Sequence, residues 1–379
     1  MPLTIDADFP GGNIIVDEVR GDEVRLHQDL RDTTTDWFYW CLRLRGAAGR
    51  TLRFTFTRSR ALAGRGPAAS CDGGATWQWL GAGCVAGNGF TCPVPRDADE
   101  LRLSFAMPYQ QAHWRRFVAG LGAPVDFRCQ PLCTTARGRA AEYALLGRRD
   151  RAPRHRVALT ARHHCCEMMV NYALEGLIEW VLAGGVDDAR WLRQHVQFFI
   201  VPFVDLDGVE DGDQGKNRRP HDHCRDYTAG LYATTRAIRQ VLPAWGAGRL
   251  HVALDLHCPW IAGPHNEVTY LVGSPDARIA PAEQRFSAVL ASVARGPLPF
   301  HADDFLPFGQ AWNVPANFGA GKGFAGWAAD LPGMVLASAI ELPYAIAGGA
   351  EVNQATARAF GPDLGRALAA YLRALPAGA

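Results

Sequence analysis

Short apolar runs, broken by polar and turn-forming residues, fill the first hundred positions of the chain. Partial alternation of apolar and polar residues, with many β-branched and aromatic side chains, predicts strands there. Glycine, aspartate and proline between the runs supply turns. A succession of strands without helices predicts an all-β sandwich, in which two sheets pack face to face. The predicted strands span residues 13–19, 37–45, 51–57, 76–80 and 101–106.

After Pro108 the hydrophobic spacing becomes helical, with Tyr109, Trp114 and Phe117 able to share one face. Past residue 120, strands that read as buried alternate with helices, which predicts an α/β domain whose mixed sheet carries helices on both faces. The change of pattern and the length of 379 residues predict two domains, residues 1–118 and 119–379. The predicted strands of the second domain span residues 156–160, 196–201, 251–255, 268–272 and 335–341, and its predicted helices span residues 166–183, 228–242, 281–294 and 353–375.

Charge and composition narrow the function classes. Lys and Arg total 39 against 38 Asp and Glu, so no global field recruits nucleic acid or an anionic membrane. The chain starts MPLTIDADFPGGN, which lacks the features of an export signal, and no run of about 18 apolar residues follows. These features predict a cytoplasmic protein with no nucleic-acid or membrane partner. Its ten cysteines are then expected to be reduced rather than paired in disulfides.

The first candidate for chemistry follows the strand at 156–160. His164 and Glu167 stand three residues apart where that strand turns into a helix, so an imidazole and a carboxylate can converge on one point. Taken alone, the pair has a second interpretation, because a polar helix start often carries a first-turn carboxylate.

A second candidate lies ninety residues later, where the strand ending LDLH places His257 at its carboxyl end. Alone, this residue has an ordinary structural interpretation as a buried, hydrogen-bonded histidine. Together with His164 and Glu167 it completes two histidines and one carboxylate, the open three-ligand set of hydrolytic zinc sites. The set predicts one Zn²⁺ per chain, with water in the fourth position.

The segment at residues 161–182 resembles the strand, His-Pro-Gly-Glu loop and helix of zinc carboxypeptidases of the M14 type, above all their cytosolic carboxypeptidase branch. It reads ARHHCCEMMVNYALEGLIEWVL. His164 and Glu167 match the family's ligands, while Cys165 and Cys166 stand in place of Pro and Gly. The resemblance implies a zinc carboxypeptidase-like α/β catalytic domain that hydrolyses the C-terminal peptide bond of peptides or proteins.

Residues 201–227, VPFVDLDGVEDGDQGKNRRPHDHCRDY, are similar to the family stretch from an Asn-Pro-Asp-Gly-Val turn to Asp-Leu-Asn-Arg-Asn-Tyr. By this match Asp222 orients a zinc histidine, and Arg225, with Cys224 beside it, binds the terminal carboxylate of the substrate. A guanidinium suits a planar carboxylate well. Arg218, or else Arg219, is implied as the residue that stabilises the oxyanion.

The strand ASAIEL at residues 337–342 resembles the family strand that carries the general base, and Glu341 is that candidate. A structural ion pair is the other interpretation of a single carboxylate in an apolar strand. Two segments of the first domain also resemble the β-sandwich that precedes the catalytic domain in cytosolic carboxypeptidases. They read WFYWCLRL at residues 37–44 and LSFAMPY at residues 103–109.

The chain departs from the family at two points. Cys224 stands where the family has Asn before the carboxylate-binding Arg, and a thiol donates weakly. The Gly- and Ala-rich stretch 317–329, predicted to be a loop, offers no Tyr where many carboxypeptidases carry one. It has Phe318, Phe324 and Trp327 instead, and Tyr344 after the base strand is a poor substitute.

Three functions remain open on the sequence. The first is a zinc carboxypeptidase, the second a zinc amidase or deacylase of small N-acyl amino acids, and the third a catalytically degenerate member that binds peptide ends. The four cysteines near the motifs either fill tight turns or make the enzyme sensitive to oxidation. They are Cys165, Cys166, Cys224 and Cys258. Lys322 would favour acidic terminal residues if it pointed into the site.

Overall fold

The computed structural model describes residues 2–58, 61–150, 152–317 and 321–376. Within these residues, short strands precede the first α-helix and form two five-stranded sheets, ordered β1-β4-β10-β6-β7 and β2-β3-β5-β9-β8. In chain order the strands are β1 (Thr4–Asp6), β2 (Ile15–Arg20), β3 (Glu23–His27), β4 (Cys41–Arg45), β5 (Thr51–Phe56), β6 (Ala68–Ser70), β7 (Gln78–Trp79), β8 (Val85–Ala86), β9 (Gly89–Pro93) and β10 (Glu100–Ser104).

Alternation along β5 shows why these segments form sheets. Leu52, Phe54 and Phe56 are buried, while the residues between them are exposed, as a strand with one covered face requires. Trp40, just before β4 of the other sheet, contacts Phe56 and Phe90 at ring-centroid distances of 5.2 and 5.9 Å. The inner sides of both sheets therefore share one apolar core. The residues before α1, called the first part of the chain, thus have an all-β arrangement, and the second part begins with α1 at Gln111.

The remainder of the chain alternates helices with strands. Its helices are α1 (Gln111–Gly120), α2 (Met169–Ala183), α3 (Asp187–His195), α4 (Leu206–Asp211), α5 (Ala233–Gly246), α6 (Ala280–Val293), α7 (Phe324–Ala328) and α8 (Gln354–Arg373). Its strands are β11 (Phe127–Thr134), β12 (Ala140–Leu146), β13 (His155–Ala161), β14 (Val196–Val201), β15 (Leu250–His257), β16 (Tyr270–Val272), β17 (Leu336–Glu341), β18 (Ile346–Ala347) and β19 (Ala350–Glu351).

Seven of these strands form a mixed sheet in the order β11-β12-β14-β13-β15-β17-β16. The four central strands, β14, β13, β15 and β17, run parallel, and antiparallel strands flank them on both sides. Because β13, β15 and β17 are parallel, their carboxyl ends meet at one edge of the sheet. His257 at the end of β15 is the register partner of Glu341 at the end of β17.

Helices cover both faces of the large sheet, as predicted. Along β14, Phe198 and Ile200 belong to the core shared with α2 and α8, whereas Phe199 and Val201 belong to a core that includes Ile238 of α5. Every residue of β14 is buried, so the strand is covered on both faces, which is typical of parallel sheets.

Several predicted boundaries differ from the structure. The strand predicted at 37–45 begins only at Cys41, because the backbone before it bonds to side chains: Gln28 donates to the carbonyl of Trp37, and the amide of Tyr39 donates to Gln214. The helix predicted at 228 begins at Ala233, because Asp226 accepts from the amides of residues 231 and 232 and holds them in a turn. Within the predicted loop 317–329, residues 324–328 form α7.

The proposed boundary after residue 118 stays a prediction, and the buried core is continuous across it. The side chain of Asn13 donates to the carbonyl of Gly212 at 2.7 Å, and the indole of Trp37 donates to Cys166 at 3.2 Å. The strands of the first part thus pack directly on the loops that follow β13 and β14.

All ten cysteines lie within the described residues, and none of them is paired in a disulfide there. Among the helices of the described residues, none is long and apolar enough to cross a bilayer.

Candidate metal site

The loop between β13 and α2 is held rigidly by Arg162. This residue is buried and has a positive φ of 63°. Its guanidinium donates to the carbonyls of Cys165 and Tyr109 and to the side chain of Asn171. The amide of Glu167 bonds back to the carbonyl of His164 at 3.1 Å and closes a tight turn. The loop therefore presents His164 and Glu167 on the same side.

The structure brings His164, Glu167 and His257 together. One oxygen of Glu167 lies 2.7 Å from Nδ1 of His164, and its other oxygen lies 2.6 Å from Nδ1 of His257. One ligand atom from each residue can be chosen so that all three lie within 4.8 Å of one another. The three side chains are almost completely buried, at 2 to 4% exposure.

Each of the two histidines has a carboxylate behind it. Nε2 of His164 lies 3.3 Å from Asp222, and Nε2 of His257 lies 2.7 Å from Asp255. Metal-bound histidines in proteins usually donate their other ring nitrogen to such a group, which fixes the ring and its tautomer. Asp222 in turn accepts from the amides of Asn217 and Cys224, so its own position is fixed.

The electrostatics of the group call for positive charge at its centre. Burial opposes ionisation of Glu167, yet the two histidines outweigh it and hold the pKa of Glu167 below its usual value. Burial likewise opposes protonation of His257, but Asp255 and Glu167 raise its pKa well above the usual value. A divalent cation supplies the same positive charge, and two imidazoles with one carboxylate are the ligands that zinc takes in open sites. The residues fit the metal that the sequence implied.

A second set of three residues, His163, Asp255 and His257, also has ligand atoms close enough to share an ion. In that set both ring nitrogens of His163 already have partners, because one lies 2.8 Å from Asp255 and the other 2.8 Å from the hydroxyl of Tyr227. Asp255 also accepts from Thr160. The set around Glu167 has the same form, one carboxylate between two imidazoles, but both of its histidines line the cavity described below, whereas His163 does not. The set around Glu167 is therefore the better candidate metal site.

The site opens into a cavity of about 360 Å³. Glu341 lines it at the end of β17, and its Oε2 has no hydrogen-bond partner among the described residues. Burial raises the pKa of Glu341 to about 7. The side chain is thus a buried carboxyl that lines the same cavity as the candidate ligands His164 and His257.

Arg225 and Cys224 line the same cavity. Both belong to a short 3₁₀ helix, His223–Arg225, whose start is capped by Asp222. Nη1 of Arg225 donates to Sγ of Cys224 at 3.4 Å, and Sγ lies 3.9 Å from Nε2 of His257. The cavity therefore has a guanidinium within the same wall as the metal ligands.

Arg218 does not line this cavity. Its side chain is buried among three carboxylates, with ion pairs to Asp205 at 3.0 Å, to Asp32 at 3.4 Å and to Asp213, and it borders a different pocket. The placement corrects the expectation that Arg218 faces the reacting group. Lys216, two residues earlier, lines the cavity instead, with its ammonium 5.9 Å from the ring centroid of Trp37.

No tyrosine lines the cavity within the part of the chain that the structure describes. Tyr344 is buried between Phe38 and Phe105 of the first part, so it does not replace the absent phenol. Phe324 does line the cavity, whereas Phe318 lies outside the described residues.

Of the four cysteines near the motifs, Cys224 lines the cavity. Cys165 donates to the carbonyl of Asp213, Cys166 accepts from Trp37, and Cys258 is buried. Burial raises the pKa of all three of these thiols, which makes them poor nucleophiles. The tight-turn interpretation suits them, and the oxidation hypothesis is left with Cys224.

Asp255 and Lys216 were not among the site residues predicted from the sequence. The sequence position of Asp255 could have indicated its role, because it stands two residues before His257 on one strand and therefore shares its face. Nothing in the sequence indicated a role for Lys216, because a lysine in a polar loop is common.

No protein-family model matches the chain. A curated relative, cytosolic carboxypeptidase 3 of Mus musculus, is 29% identical over 151 residues, which make up 38% of this chain and 15% of that protein. Matches to curated relatives span between 15% and 55% of those proteins' own lengths.

Solved structures extend the likeness over nearly the whole chain. A metallo-carboxypeptidase from Burkholderia cenocepacia superposes with a TM-score of 0.78 at 21% identity, covering 98% of this chain and 99% of that one. A metallo-carboxypeptidase from Pseudomonas aeruginosa, in complex with (2-guanidinoethylmercapto)succinic acid, gives a TM-score of 0.76 at 21% identity, with coverage of 98% and 99%. The chain has the fold of these proteins, and the resemblance predicted from the sequence motifs is confirmed at the level of the fold.

Proposed function

We propose that this chain, built on the metallo-carboxypeptidase fold, is a zinc carboxypeptidase that removes the C-terminal residue of peptides or proteins. One observation carries the proposal. His164 and His257 each turn one nitrogen to Glu167 and the other to a backing carboxylate, at the floor of a cavity that also holds Glu341 and Arg225.

His164, Glu167 and His257 are the residues that would hold one zinc ion. When bound, zinc supplies Lewis-acid polarisation of a carbonyl and lowers the pKa of water. Asp222 and Asp255 keep both imidazole rings oriented.

Glu341 is the proton carrier of the proposed mechanism. A general base must lie close to the proton that it takes, and Glu341 is the register partner of His257 at the same edge of the sheet. Its Oε2 has no partner to release before it takes a proton from the attacking water. Glu341 then returns the proton to the leaving amine.

Arg225, Lys216 and Lys322 are the cations that line the cavity among the described residues, and Lys322 is paired with Asp330. We assign Arg225 to the terminal carboxylate of the substrate, because a guanidinium binds a carboxylate through two parallel hydrogen bonds. The Pseudomonas aeruginosa neighbour is described with a succinic acid derivative, a compound that carries carboxylates. Lys216, rather than Arg218, is assigned to the carbonyl oxygen that gains charge in the transition state.

The proposal extends to organisation and location. Residues 1–118 are taken as an N-terminal β-sandwich domain and residues 119–379 as the catalytic domain, supported by the two all-strand sheets and the mixed sheet. A cytoplasmic location is supported by the ten free thiols. Peptide or protein C-termini are the proposed partners.

Metal analysis tests the zinc assignment. Protein purified without chelator is expected to contain about one zinc per chain, and His164→Ala or His257→Ala to contain almost none. Removing the metal with a chelator should abolish peptide hydrolysis, and zinc should restore it. Full hydrolysis by metal-free protein would overturn the proposal. Cleavage of N-acyl amino acids with no cleavage of peptides would assign the site to a deacylase.

A further inference from the structure

His163, the residue before the candidate ligand His164, is completely buried and does not line the cavity. Its Nδ1 lies 2.8 Å from Oδ1 of Asp255. The other oxygen of Asp255, Oδ2, lies 2.7 Å from Nε2 of the candidate ligand His257. Asp255 therefore joins His163 to a metal ligand through its two carboxylate oxygens.

The directions of these hydrogen bonds follow from the chemistry of the groups. When Nδ1 of His257, which faces Glu167, is available to a metal, the ring proton is on Nε2 and is donated to Asp255. An ionised carboxylate only accepts, so Nδ1 of His163 carries a proton and donates it to Asp255 as well. In a neutral His163 ring Nε2 is then an acceptor, and the hydroxyl of Tyr227 donates to it at 2.8 Å. One arrangement of protons thus satisfies every group from Tyr227 to His257.

The far end of this chain of hydrogen bonds is fixed by packing. The ring of Tyr227 lies 5.5 Å from that of Phe324 and 5.3 Å from that of Trp327, between ring centroids, and both of these residues belong to α7. The amide of Tyr227 also donates to the carbonyl of Lys322 at 3.2 Å. The hydroxyl of Tyr227 therefore holds Nε2 of His163 from a fixed position.

Asp255 is held from two sides besides His257. Thr160 is its register partner on the neighbouring parallel strand and donates to Oδ1 at 2.8 Å, the same oxygen that accepts from His163. Oδ2 is thereby left to face His257. Since the groups that hydrogen-bond a metal ligand's partner also tune metal affinity, a donor that fixes this carboxylate acts on the metal site without touching the metal.

We infer that His163 is a positioning residue of the candidate metal site: held by Tyr227, it fixes Asp255, which in turn fixes the ring of His257. The inference rests on the zinc site of the proposed function. His163 is not itself a ligand in this arrangement, because a ring nitrogen that carries a proton has no lone pair to give to a metal.

Competition for zinc against a coloured chelator at fixed pH, starting from metal-free protein, tests this inference. His163→Leu removes the donor, and zinc affinity is expected to fall by about ten- to a hundredfold. His163→Asn keeps an N–H donor near the position of Nδ1 and should recover most of the affinity. Tyr227→Phe removes only the hydroxyl and should lower the affinity by less than His163→Leu does. His155→Leu, which replaces a buried histidine at the opposite end of β13, is the matched control and should leave zinc affinity unchanged.

Cobalt(II) in place of zinc gives a readout of ligand orientation, because its visible absorption bands depend on coordination geometry. His163→Leu should shift the bands of the cobalt-loaded protein, whereas His163→Asn and His155→Leu should keep the spectrum of the unmodified protein. Denaturant unfolding of the metal-free variants measures any effect on the fold itself. A loss of zinc affinity that follows the loss of stability equally in His163→Leu and His155→Leu would overturn the inference.

The failure of this inference differs from the failure of the proposed function. Equal zinc affinity in His163→Leu and the unmodified protein, or an affinity of His163→Asn as low as that of His163→Leu, overturns the inference even if peptides are cleaved. A second zinc per chain that is lost in His163→Leu would make His163 a ligand and also overturns it. If zinc binds but no peptide is cleaved, the proposed function fails, and the zinc affinities still decide the inference. If the unmodified protein binds no zinc, both fail.

Discussion

At the residue scale, Glu167 organises the site. Each of its two oxygens faces a different histidine, and each histidine is backed by a separate aspartate. Three carboxylates therefore surround two imidazoles in a region almost without exposed surface. Such an excess of buried negative charge is stabilised by a cation, and this explains why residues from three separate loops and strands converge here.

Asp255 provides a prediction at this scale. Asp255→Asn keeps the shape of the side chain but removes the charge behind His257, so zinc affinity is expected to fall by about ten- to a hundredfold. Competition for zinc against a coloured chelator at fixed pH measures the change. Asp222→Asn should act in the same direction through His164, whereas Asp303→Asn, on the exposed surface, should leave the affinity unchanged. Unchanged zinc affinity in both Asp222→Asn and Asp255→Asn would mean that the aspartates do not orient the ligands.

That the three candidate ligands lie together could be predicted from the sequence, because each is at or just after the end of a strand with a clear apolar pattern. His164 and Glu167 follow β13, and His257 ends β15. Arg218 was predicted to face the reacting group because charge type alone does not show which of several cations in one polar loop points into the cavity. Three aspartates, distant in sequence from one another, hold Arg218 away from the cavity, and only the folded chain shows them together.

At the element scale, α2 and α8 lie unusually close on one face of the large sheet. A Cβ added to Gly361 of α8 would overlap the backbone of Ala173 and Leu177, and one added to Gly176 of α2 would overlap the carbonyl of Arg358. The two glycines thus permit the helix backbones to touch. This contact fixes α2, whose amino end follows the loop that carries Glu167.

Gly361→Ala is therefore expected to lower the free energy of unfolding by about 1–3 kcal/mol or more through overpacking, and Gly176→Ala to act similarly. Gly120→Ala at the end of α1 is the matched control, because a methyl group there meets nothing within 4 Å. It should be neutral or stabilising by up to about 1 kcal/mol. Denaturant unfolding measures all three, and equal stability of Gly361→Ala and Gly120→Ala would show that the helices are not in close contact.

A buried carboxyl, Glu175, joins the same two helices to the first part of the chain. Tyr109 donates to one of its oxygens at 2.6 Å, and Arg358 of α8 pairs with the other. Burial raises the pKa of Glu175 from 4.5 to about 7 in spite of these contacts. The unfolded chain thus loses this proton at lower pH than the folded protein does.

From this pKa, the contribution of Glu175 to stability is expected to decline as pH rises from about 4.5 to 7, and to stay lower above pH 7. Glu175→Gln should therefore gain stability relative to wild type between pH 5 and pH 8, on the order of 2–3 kcal/mol at most. Thermal or denaturant unfolding at the two pH values measures the difference. Glu179→Gln, which removes an exposed partner of Arg358, is the control. A constant difference, or one of opposite sign, would contradict the assignment.

Elements with strong periodicity were predictable, and those defined by distant partners were not. The central strands and the helices α2, α6 and α8 follow from apolar patterning, whereas the hairpin of β11 and β12 was missed. Residues of β11 are only partly buried for most of its length, so they lack the apolar run that marks a central strand. The aromatic residues of segment 37–40 predicted a strand. Trp37 and Phe38 instead pack against Trp260 and Tyr344 of the second part, whereas Trp40 packs within the first part.

At the scale of the whole molecule, the strands of the first part help to build the surroundings of the site. The ring of Trp37 lies 4.5 Å from that of Trp260, which follows the ligand His257 by three residues. Phe38 contacts both Trp260 and Tyr344, the latter just after the strand of Glu341. The two parts of the chain therefore meet next to the site, and the segments that follow His257 and Glu341 are packed against the first part.

The most direct test of the central claim compares two peptides of identical sequence, one with a free C-terminal carboxylate and one with a C-terminal amide, each incubated with zinc-loaded protein. Mass spectrometry is expected to show loss of a single C-terminal residue from the free acid and little or no loss from the amide, because Arg225 needs a carboxylate to pair with. Glu341→Gln should retain zinc and lower the rate by a factor of about 10² to 10⁴, the typical contribution of a general base. Absence of cleavage in the free acid, or equal cleavage of acid and amide, would contradict the account.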